Sequence, residues 1–237
     1  MVTTNFPSGL TNAQVDTCLG TYTSHDLTKN HEFWTDFDTV SVGTSATDWL
    51  ATNVGSTPTY VASSVDNGAL LITNTAGASD SCFLQYLGKA SAVLETFSFV
   101  VGYQTWFKIR FKTNDATNSI IVAGLQITDT TPAAVSDGVF FIKPTGAATV
   151  NFVVEASNVA TTVTNIGSLA DNTYATLGFW FNGIDRIAYF LNDVNVGSAA
   201  ITNMPGHTLT MSFGIQNGAS AAKTLTVDYI FAARERS

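Results

Sequence analysis

The stretch Gln104-Thr-Trp-Phe-Lys-Ile-Arg-Phe-Lys112 decides the fold class, because apolar and charged side chains alternate along it without interruption. Phe107, Ile109 and Phe111 fall on one face of this stretch. The opposite face carries Trp106, Lys108, Arg110 and Lys112. A repeat of two residues is typical of a β-strand with one buried side. The stretch therefore predicts a strand at the surface of a packed sheet.

Similar short apolar segments, separated by turn residues, recur on both sides of this strand. The clearest of them are 68–74, 82–87, 120–128, 139–143, 149–156, 173–181, 186–191, 194–196, 208–217 and 225–232. In the last, one face is expected to carry Leu225, Val227, Tyr229 and Phe231. Ten to fourteen such strands and no helical periodicity indicate a sandwich or barrel. We predict an all-β, antiparallel two-sheet jelly-roll sandwich of the concanavalin A type.

The first 31 residues differ from the rest of the chain because no period of 2 or 3.6 persists there. We predict an extended N-terminal arm over residues 1–31 and a single jelly-roll domain over residues 32–237. The arm carries isolated residues suited to docking on another surface, and we take these as a partner anchor: Val2, Phe6, Pro7, Leu10, Val15 and Leu19. The alternative is a loosely packed first strand of the main domain.

Composition narrows the range of functions. Hydrophobic residues make up 45% of the 237 residues, whereas charged residues make up 12%, about half the usual share of roughly 25%. Acidic residues outnumber basic ones by 18 to 10, which disfavours nucleic acid as a partner. No apolar run reaches membrane-spanning length. The N-terminus lacks a secretory signal pattern, so we expect synthesis in a cytoplasm.

The residue types that usually carry catalysis are scattered in this sequence. Asp36 and Asp38 have the spacing that would place two carboxylates on one strand face beside Trp34, but a turn with Phe37 packed inward is the simpler interpretation. His25, His31 and His207 lack metal-ligand spacing. No Gly-x-Ser-x-Gly or phosphate-binding loop occurs. We therefore expect a protein that is not an enzyme and has no metal or other cofactor.

Two further features leave alternatives open. Cys18 and Cys82 are either free thiols or a single disulfide bridge. The charged face of the 104–112 strand forms a line about 14 Å long beside Trp106, at roughly 3.4 Å per residue. It is either a face for an acidic protein partner or a glycan, or a solvated surface paired with local acids. For a glycan-binding lectin, the aromatic residues expected to be exposed and to bind the sugar are Trp34, Trp49, Trp106 and Trp180.

Several segments resemble the structural proteins of tailed-phage particles. They are Thr4-Asn-Phe-Pro-Ser-Gly-Leu-Thr-Asn12, 105–112, 124–132 with 137–141, 213–218 and 224–236. The resemblance implies a concanavalin-like jelly roll of the capsid-decoration or head-fibre type. It implies a cement protein on the outer surface of the virion, bound to the major capsid protein through its N-terminal arm. Such a protein is expected to form a homo-oligomer, for which a trimer is one option. The alternative is a lectin-like module of a head fibre or tail that binds a host-surface glycan.

Overall fold

The protein is described from a computed structural model. The structure describes residues 16–22, 26–43, 47–55, 57–63, 65, 67–90 and 94–236. Its strands are β1 Asn30–Thr35, β2 Trp49–Val54, β3 Thr59–Ala62, β4 Leu70–Thr73, β5 Ser81–Tyr86, β6 Thr105–Thr113, β7 Ser119–Gln126, β8 Gly138–Lys143, β9 Thr149–Ala156, β10 Val159–Ser168, β11 Ala175–Phe181, β12 Arg186–Leu191, β13 Val194–Ala200, β14 Thr210–Asn217 and β15 Thr224–Glu235. One 3₁₀ turn, Pro132–Ala134, is assigned within these ranges. No helix among the described residues is long and apolar enough to cross a membrane.

The strands form two antiparallel sheets. Sheet A has eight strands in the order β13-β12-β11-β6-β15-β4-β3, with β1 also paired to β15. Sheet B has seven strands in the order β10-β9-β8-β7-β14-β5-β2. Neighbouring strands are often far apart in sequence, as in a jelly roll. The prediction of an all-β, two-sheet sandwich is confirmed. Strands β1, β2, β3 and β10 were not among the segments chosen from the sequence.

The inner faces of the two sheets enclose the main core. Strand β6 contributes Phe107, Ile109 and Phe111, as its alternation predicts. Phe107 stacks on Phe179 of β11 with ring centroids 5.2 Å apart, and Phe141 of β8 packs from sheet B. Burial of large aromatic side chains supplies much of the stabilisation of such a core.

Strand β15 departs from strict alternation. A β-bulge lies between Val227 and Tyr229 in its pairing with β6. Before the bulge Val227 faces the core, whereas after it Ile230 does so. A bulge inserts one residue and therefore exchanges the faces of all residues beyond it. The expectation that Tyr229 and Phe231 share a face with Val227 is thus wrong.

Part of the predicted arm packs on the outer face of sheet A. Residues 16–22 form tight turns, with the amide of Gly20 bonded to the carbonyl of Thr17 and that of Tyr22 to the carbonyl of Leu19. These residues are compact, contrary to the extended form predicted for them. Residues 1–15 and 23–25 of the arm lie outside the described residues.

Candidate functional site

An open groove lined mainly by aromatic side chains lies on the outer face of sheet A. Its lining residues are Leu19, Tyr22, Trp34, Lys108, Tyr229 and Phe231, and we call it the aromatic groove. It encloses about 540 Å³. The indole of Trp34 is 56% exposed, which is unusual for so large an apolar side chain. Contiguous exposed apolar surface of this kind often marks a binding site.

Two neighbouring strands place the aromatic residues of the groove. In β1, Phe33 packs towards the core, so that the next residue, Trp34, faces outward. Trp34 lies opposite Phe231 in the pairing of β1 with β15. The bulge in β15 turns Tyr229 and Phe231 to the same outer face. The groove therefore depends on one extra residue in β15.

The wall formed by the arm is held against sheet A by Cys18. Its Sγ lies 3.4 Å from the carbonyl oxygen of Phe107 and 3.7 Å from that of Phe179. The thiol occupies space that exists only because residue 178 is glycine, since a Cβ there would lie 2.5 Å from the sulfur. Burial raises the pKa of the Cys18 thiol, which keeps it neutral. Both Cys18 and Cys82 are free and buried.

Tyr22 forms the other part of this wall. Its ring meets those of Trp106 and Phe231 edge-on, with centroids 5.2 and 5.3 Å away. Its hydroxyl donates a hydrogen bond to a carboxylate oxygen of Glu32. Burial and this bond raise the pKa of the phenol. These contacts fix the ring that closes one side of the aromatic groove.

Most of the basic line predicted on β6 is engaged within the chain. Lys108 donates to Asp193 at 2.8 Å. Arg110 forms an ion pair with Asp228 and lies over the ring of Tyr174, 4.2 Å from its centroid. Lys112 approaches the same ring, at 4.8 Å. This arrangement matches the alternative of a surface paired with local acids, and a role in partner binding stays a prediction.

The structure separates the four tryptophan candidates. Trp106 is 1% exposed and Trp49 is 2% exposed, so neither indole is available at the surface. The expectation that they are exposed is corrected: Trp106 lies beneath Leu19 and Tyr22, and Trp49 belongs to the main core. Trp180 is half-buried and donates to Gln104 at 2.7 Å. Trp34 alone of the four lies open in the aromatic groove.

The remaining sequence candidates do not assemble into one site. Of the predicted anchor residues, Leu19 packs on sheet A of its own chain, whereas Val2, Phe6, Pro7, Leu10 and Val15 lie outside the described residues. Asp36 and Asp38 follow the end of β1, and Phe37 between them is fully buried with a φ of 59°. Within the described ranges, no three His, Cys, Asp or Glu side chains converge on a point that could hold a metal ion.

A second groove lies on the outer face of sheet B and contains a carboxyl group. It encloses about 410 Å³, and its floor includes Phe140, Ile142 and Val153, with Glu155 at the side. Burial and the negative charge of Asp137 raise the pKa of Glu155. A carboxyl group with a raised pKa in a groove can act as a general acid. Glu155 could not be singled out from the sequence, because Asp137, the acid near it in space, directly precedes a different strand.

The aromatic groove was also only partly visible in the sequence. Trp34 was named from its residue type, but Tyr22, Tyr229 and Phe231 were not. One signal was available for the last two: the apolar run Tyr229-Ile230-Phe231 breaks the alternation, since strict alternation would leave Ile230 on the outer face. Such a break is what one extra residue in a strand produces.

Comparison with known proteins identifies the fold. No family model matches the chain, and no curated protein matches it. A solved protein of unknown function from Shewanella oneidensis MR-1 is 18% identical, with 87% of each chain covered and a TM-score of 0.60. A lichenase from a mouse hindgut metagenome is 13% identical, with 85% of this chain and 98% of that chain covered and a TM-score of 0.59. An endo-β-1,4-glucuronan lyase from Trichoderma reesei is 10% identical, with 86% and 95% covered and a TM-score of 0.56.

These likenesses correct one sequence-based expectation. The chain was expected not to be an enzyme, partly because recognisable catalytic motifs are missing. That expectation is contradicted, since the lichenase and the lyase share this fold with 13% and 10% identity. At such distances catalytic residues need not fall in recognisable motifs. The resemblance to phage virion proteins is not confirmed. What the fold and the comparisons establish together is that this chain is a concanavalin-like jelly roll.

Proposed function

We propose that this protein is a glycan-binding jelly-roll module and that the aromatic groove is its binding site. The observation that carries the proposal is the exposed indole of Trp34 beside Tyr229 and Phe231 on a rigid sheet. Sugar rings have apolar C–H faces that pack against aromatic rings, whereas their hydroxyl groups remain hydrogen-bonded. Ligand sites of this type combine an apolar lining with a few polar groups.

The polar groups at the groove can orient a sugar. Lys108 lines it, the hydroxyl of Tyr229 can donate and accept hydrogen bonds, and the hydroxyl of Tyr22, which donates to Glu32, can accept one. Because Lys108 is paired with Asp193, its charge is largely balanced. This balance favours neutral sugars over strongly charged ones at the aromatic groove. Fold neighbours named for acting on glucans and glucuronan support a carbohydrate ligand, by analogy of fold alone.

The proposal is tested by a glycan array followed by calorimetric titration of the strongest ligand. We expect Trp34→Ala and Tyr229→Ala each to weaken binding about tenfold, the order of an aromatic contact worth 1.4 kcal/mol. Val61→Ala is the matched control, because Val61 is equally exposed on another strand of sheet A. An array without ligands, or unchanged affinity in both aromatic variants, would refute the proposal.

Glycan cleavage is the second candidate function, and Glu155 is the observation that favours it. Its raised pKa and its place in the groove on sheet B suit a proton donor to a leaving sugar. The assay is release of new sugar ends from the polysaccharides that bind. Glu155→Gln should abolish the release while leaving binding at the aromatic groove intact. Equal activity in that variant would remove Glu155 from consideration.

The role on a phage particle is a separate proposal, supported by the sequence resemblance. It places the protein on the outer capsid, bound to the major capsid protein through residues 1–31. Cosedimentation with undecorated phage heads tests it, with a variant lacking residues 1–15 beside the full chain. Binding that requires those residues would support an anchor there. Because residues 16–22 pack on sheet A, the shorter deletion leaves the aromatic groove in place.

A further inference from the structure

A pocket with a cationic lining lies beside the opposite face of β1 from the aromatic groove. His31, Thr96, Arg234 and Arg236 line it, and it encloses about 410 Å³. His31 pairs with Arg234 in the register of β1 and β15, while Trp34 points to the other side of β1. The pocket is therefore separate from the proposed glycan site, although both involve the same two strands.

The ion pairing of the two arginines distinguishes this pocket from the basic residues on β6. Among the described residues, neither Arg234 nor Arg236 forms an ion pair with a carboxylate. The Nε of Arg234 is buried without a hydrogen-bond partner. A buried charged donor left without an acceptor is costly, so such groups are rare unless a ligand satisfies them.

The other two lining groups complete a set of donors. His31 Nε2 lies 2.8 Å from the hydroxyl oxygen of Thr96, and its ring packs on Phe97 with centroids 5.0 Å apart. Arg236 is held by bonds from its Nε to the carbonyls of Leu27 and Asn30, at 2.8 and 3.2 Å. These contacts fix the imidazole and one guanidinium at the pocket before any ligand arrives.

The nearest carboxylates in sequence are engaged elsewhere. Glu235 accepts hydrogen bonds from the amide and the side chain of Gln104, at 2.7 and 3.3 Å. Glu95 accepts from the amide of Thr128 at 2.7 Å. In a chain with 10 basic and 18 acidic residues, a pocket whose described lining has two arginines and no acidic residue is a distinct feature.

We propose that this pocket binds an oxyanion: a sulfate, phosphate or carboxylate group, free or carried on a larger ligand. Arginine presents a planar set of donors that matches such groups, and hydrogen bonds between opposite charges are about twice as strong as neutral ones. Burial and the charges of Arg236 and Arg234 lower the pKa of His31, which agrees with a positive potential that nothing in the pocket balances. The charged groups that face His31 are these two arginines, both from the C-terminal end of the chain.

The test is calorimetric titration of the full chain with sodium sulfate, sodium phosphate and sodium glucuronate, at ionic strength held constant with sodium chloride. Glucose is the neutral control. We expect one site, with binding weakened at least about tenfold in Arg234→Gln. Arg186→Gln is the control variant, because Arg186 is exposed and paired with Asp185 on another strand. Comparison of the three anions separates a free inorganic ion from an acidic sugar.

A second readout guards against a variant that is merely unstable. In the unmodified chain, bound anion should raise the pKa of His31, followed by NMR with His207 as internal reference, since a nearby anion favours the charged imidazole. Thr96→Val removes one hydroxyl and should weaken binding without unfolding the protein. The proposal is overturned if no anion shifts His31, or if Arg234→Gln folds and binds as well as the control. Neither result depends on whether the aromatic groove binds a glycan.

Discussion

The outer faces of the two sheets both carry apolar side chains, but they are covered differently. On sheet B, Phe83, Val122, Phe140 and Val153 form a small cluster with Val135 of the 127–137 segment. Two glutamines fasten that segment: Gln85 bonds the backbone of Ile127 and Asp129, and Gln126 bonds the carbonyl of Pro132. On sheet A, residues 16–22 cover Trp106 but leave Trp34 open.

The difference indicates where stability and binding reside. Side chains packed beneath the 127–137 segment contribute mainly to stability because they are nearly fully buried, although Phe140 and Val153 also line the groove beside Glu155. The partial cover on sheet A instead forms one wall of a groove. Its wall residues are held by the Cys18 contact and by the edge-on packing of Tyr22, so the groove is formed in advance of a ligand. Preorganisation of this kind lowers the entropy lost on binding.

The largest expected effect is a loss of unfolding free energy, and it should differ between an aromatic substitution on the outer face of sheet B and one on the outer face of sheet A. Phe140→Ala should lower the free energy of unfolding by about 3 kcal/mol, because Phe140 is only 3% exposed and its removal leaves a cavity. Trp34→Ala should lower it by less than about 1 kcal/mol. Urea unfolding of both variants provides the measurement. Equal losses would mean that the two faces do not differ as described.

An intermediate effect is expected from forcing the arm off sheet A. Gly178→Val places a side chain against the sulfur of Cys18 and the carbonyl of Phe107, and should cost about 1–3 kcal/mol. It should also make the Cys18 thiol react with iodoacetamide in the folded protein and weaken glycan binding. Gly206→Ala is the control, since nothing lies within 4 Å of its added methyl group. An unreactive Cys18 in a folded Gly178→Val protein would contradict the assigned contact.

The smallest effect concerns the ion pair at the edge of the aromatic groove. Burial, the largest single influence, lowers the pKa of Lys108, but the hydrogen bond to Asp193 and the charge interactions with Tyr229, Asp193 and Cys18 together exceed it and raise the pKa above the usual value. The pair therefore stabilises the fold fully below the unfolded pKa of lysine, and this contribution is lost as pH rises through the folded pKa.

Asp193→Asn should cost less than about 1 kcal/mol at pH 7, because the Asp193 side chain is 41% exposed and solvent weakens the pair. The difference in unfolding free energy between Asp193→Asn and the unmodified chain should shrink as pH rises towards 11. Unfolding free energies measured between pH 7 and 11 provide the check, with Asp185→Asn as the control at an exposed pair. A difference that grows with pH would contradict the assigned pairing.

Residues in β6 and β15 show which side-chain orientations could be predicted from the sequence. Phe107, Ile109 and Phe111 could be assigned to the core because β6 is regular over its whole length. The same reasoning failed in β15, where the bulge between Val227 and Tyr229 reverses the faces. Trp106 was correctly placed opposite the core, yet it is buried, because residues far away in sequence cover it.

The candidate sites depended on still longer-range contacts. Trp34 could be named from its type, but its neighbours Tyr22, Tyr229 and Phe231 are brought to it from both ends of the chain. The cationic pocket similarly joins His31 to Arg234 and Arg236 through the pairing of β1 with β15. Local sequence patterns do not predict which distant strands pair, so neither site could be predicted from the sequence alone.

The sequence by itself determined the class of fold, the acidic surface and most of the strands, because alternation of side chains along a strand is a local property of the backbone. Only the tertiary structure decided which outward-facing aromatic residue remains open, and where two arginines meet that have no ion-pair partner among the described residues. Those outcomes depend on strand order, on one extra residue in β15 and on the docking of Cys18 against Gly178. All three involve residues that are distant in sequence. Their contacts stabilise the protein only once the sheets have formed.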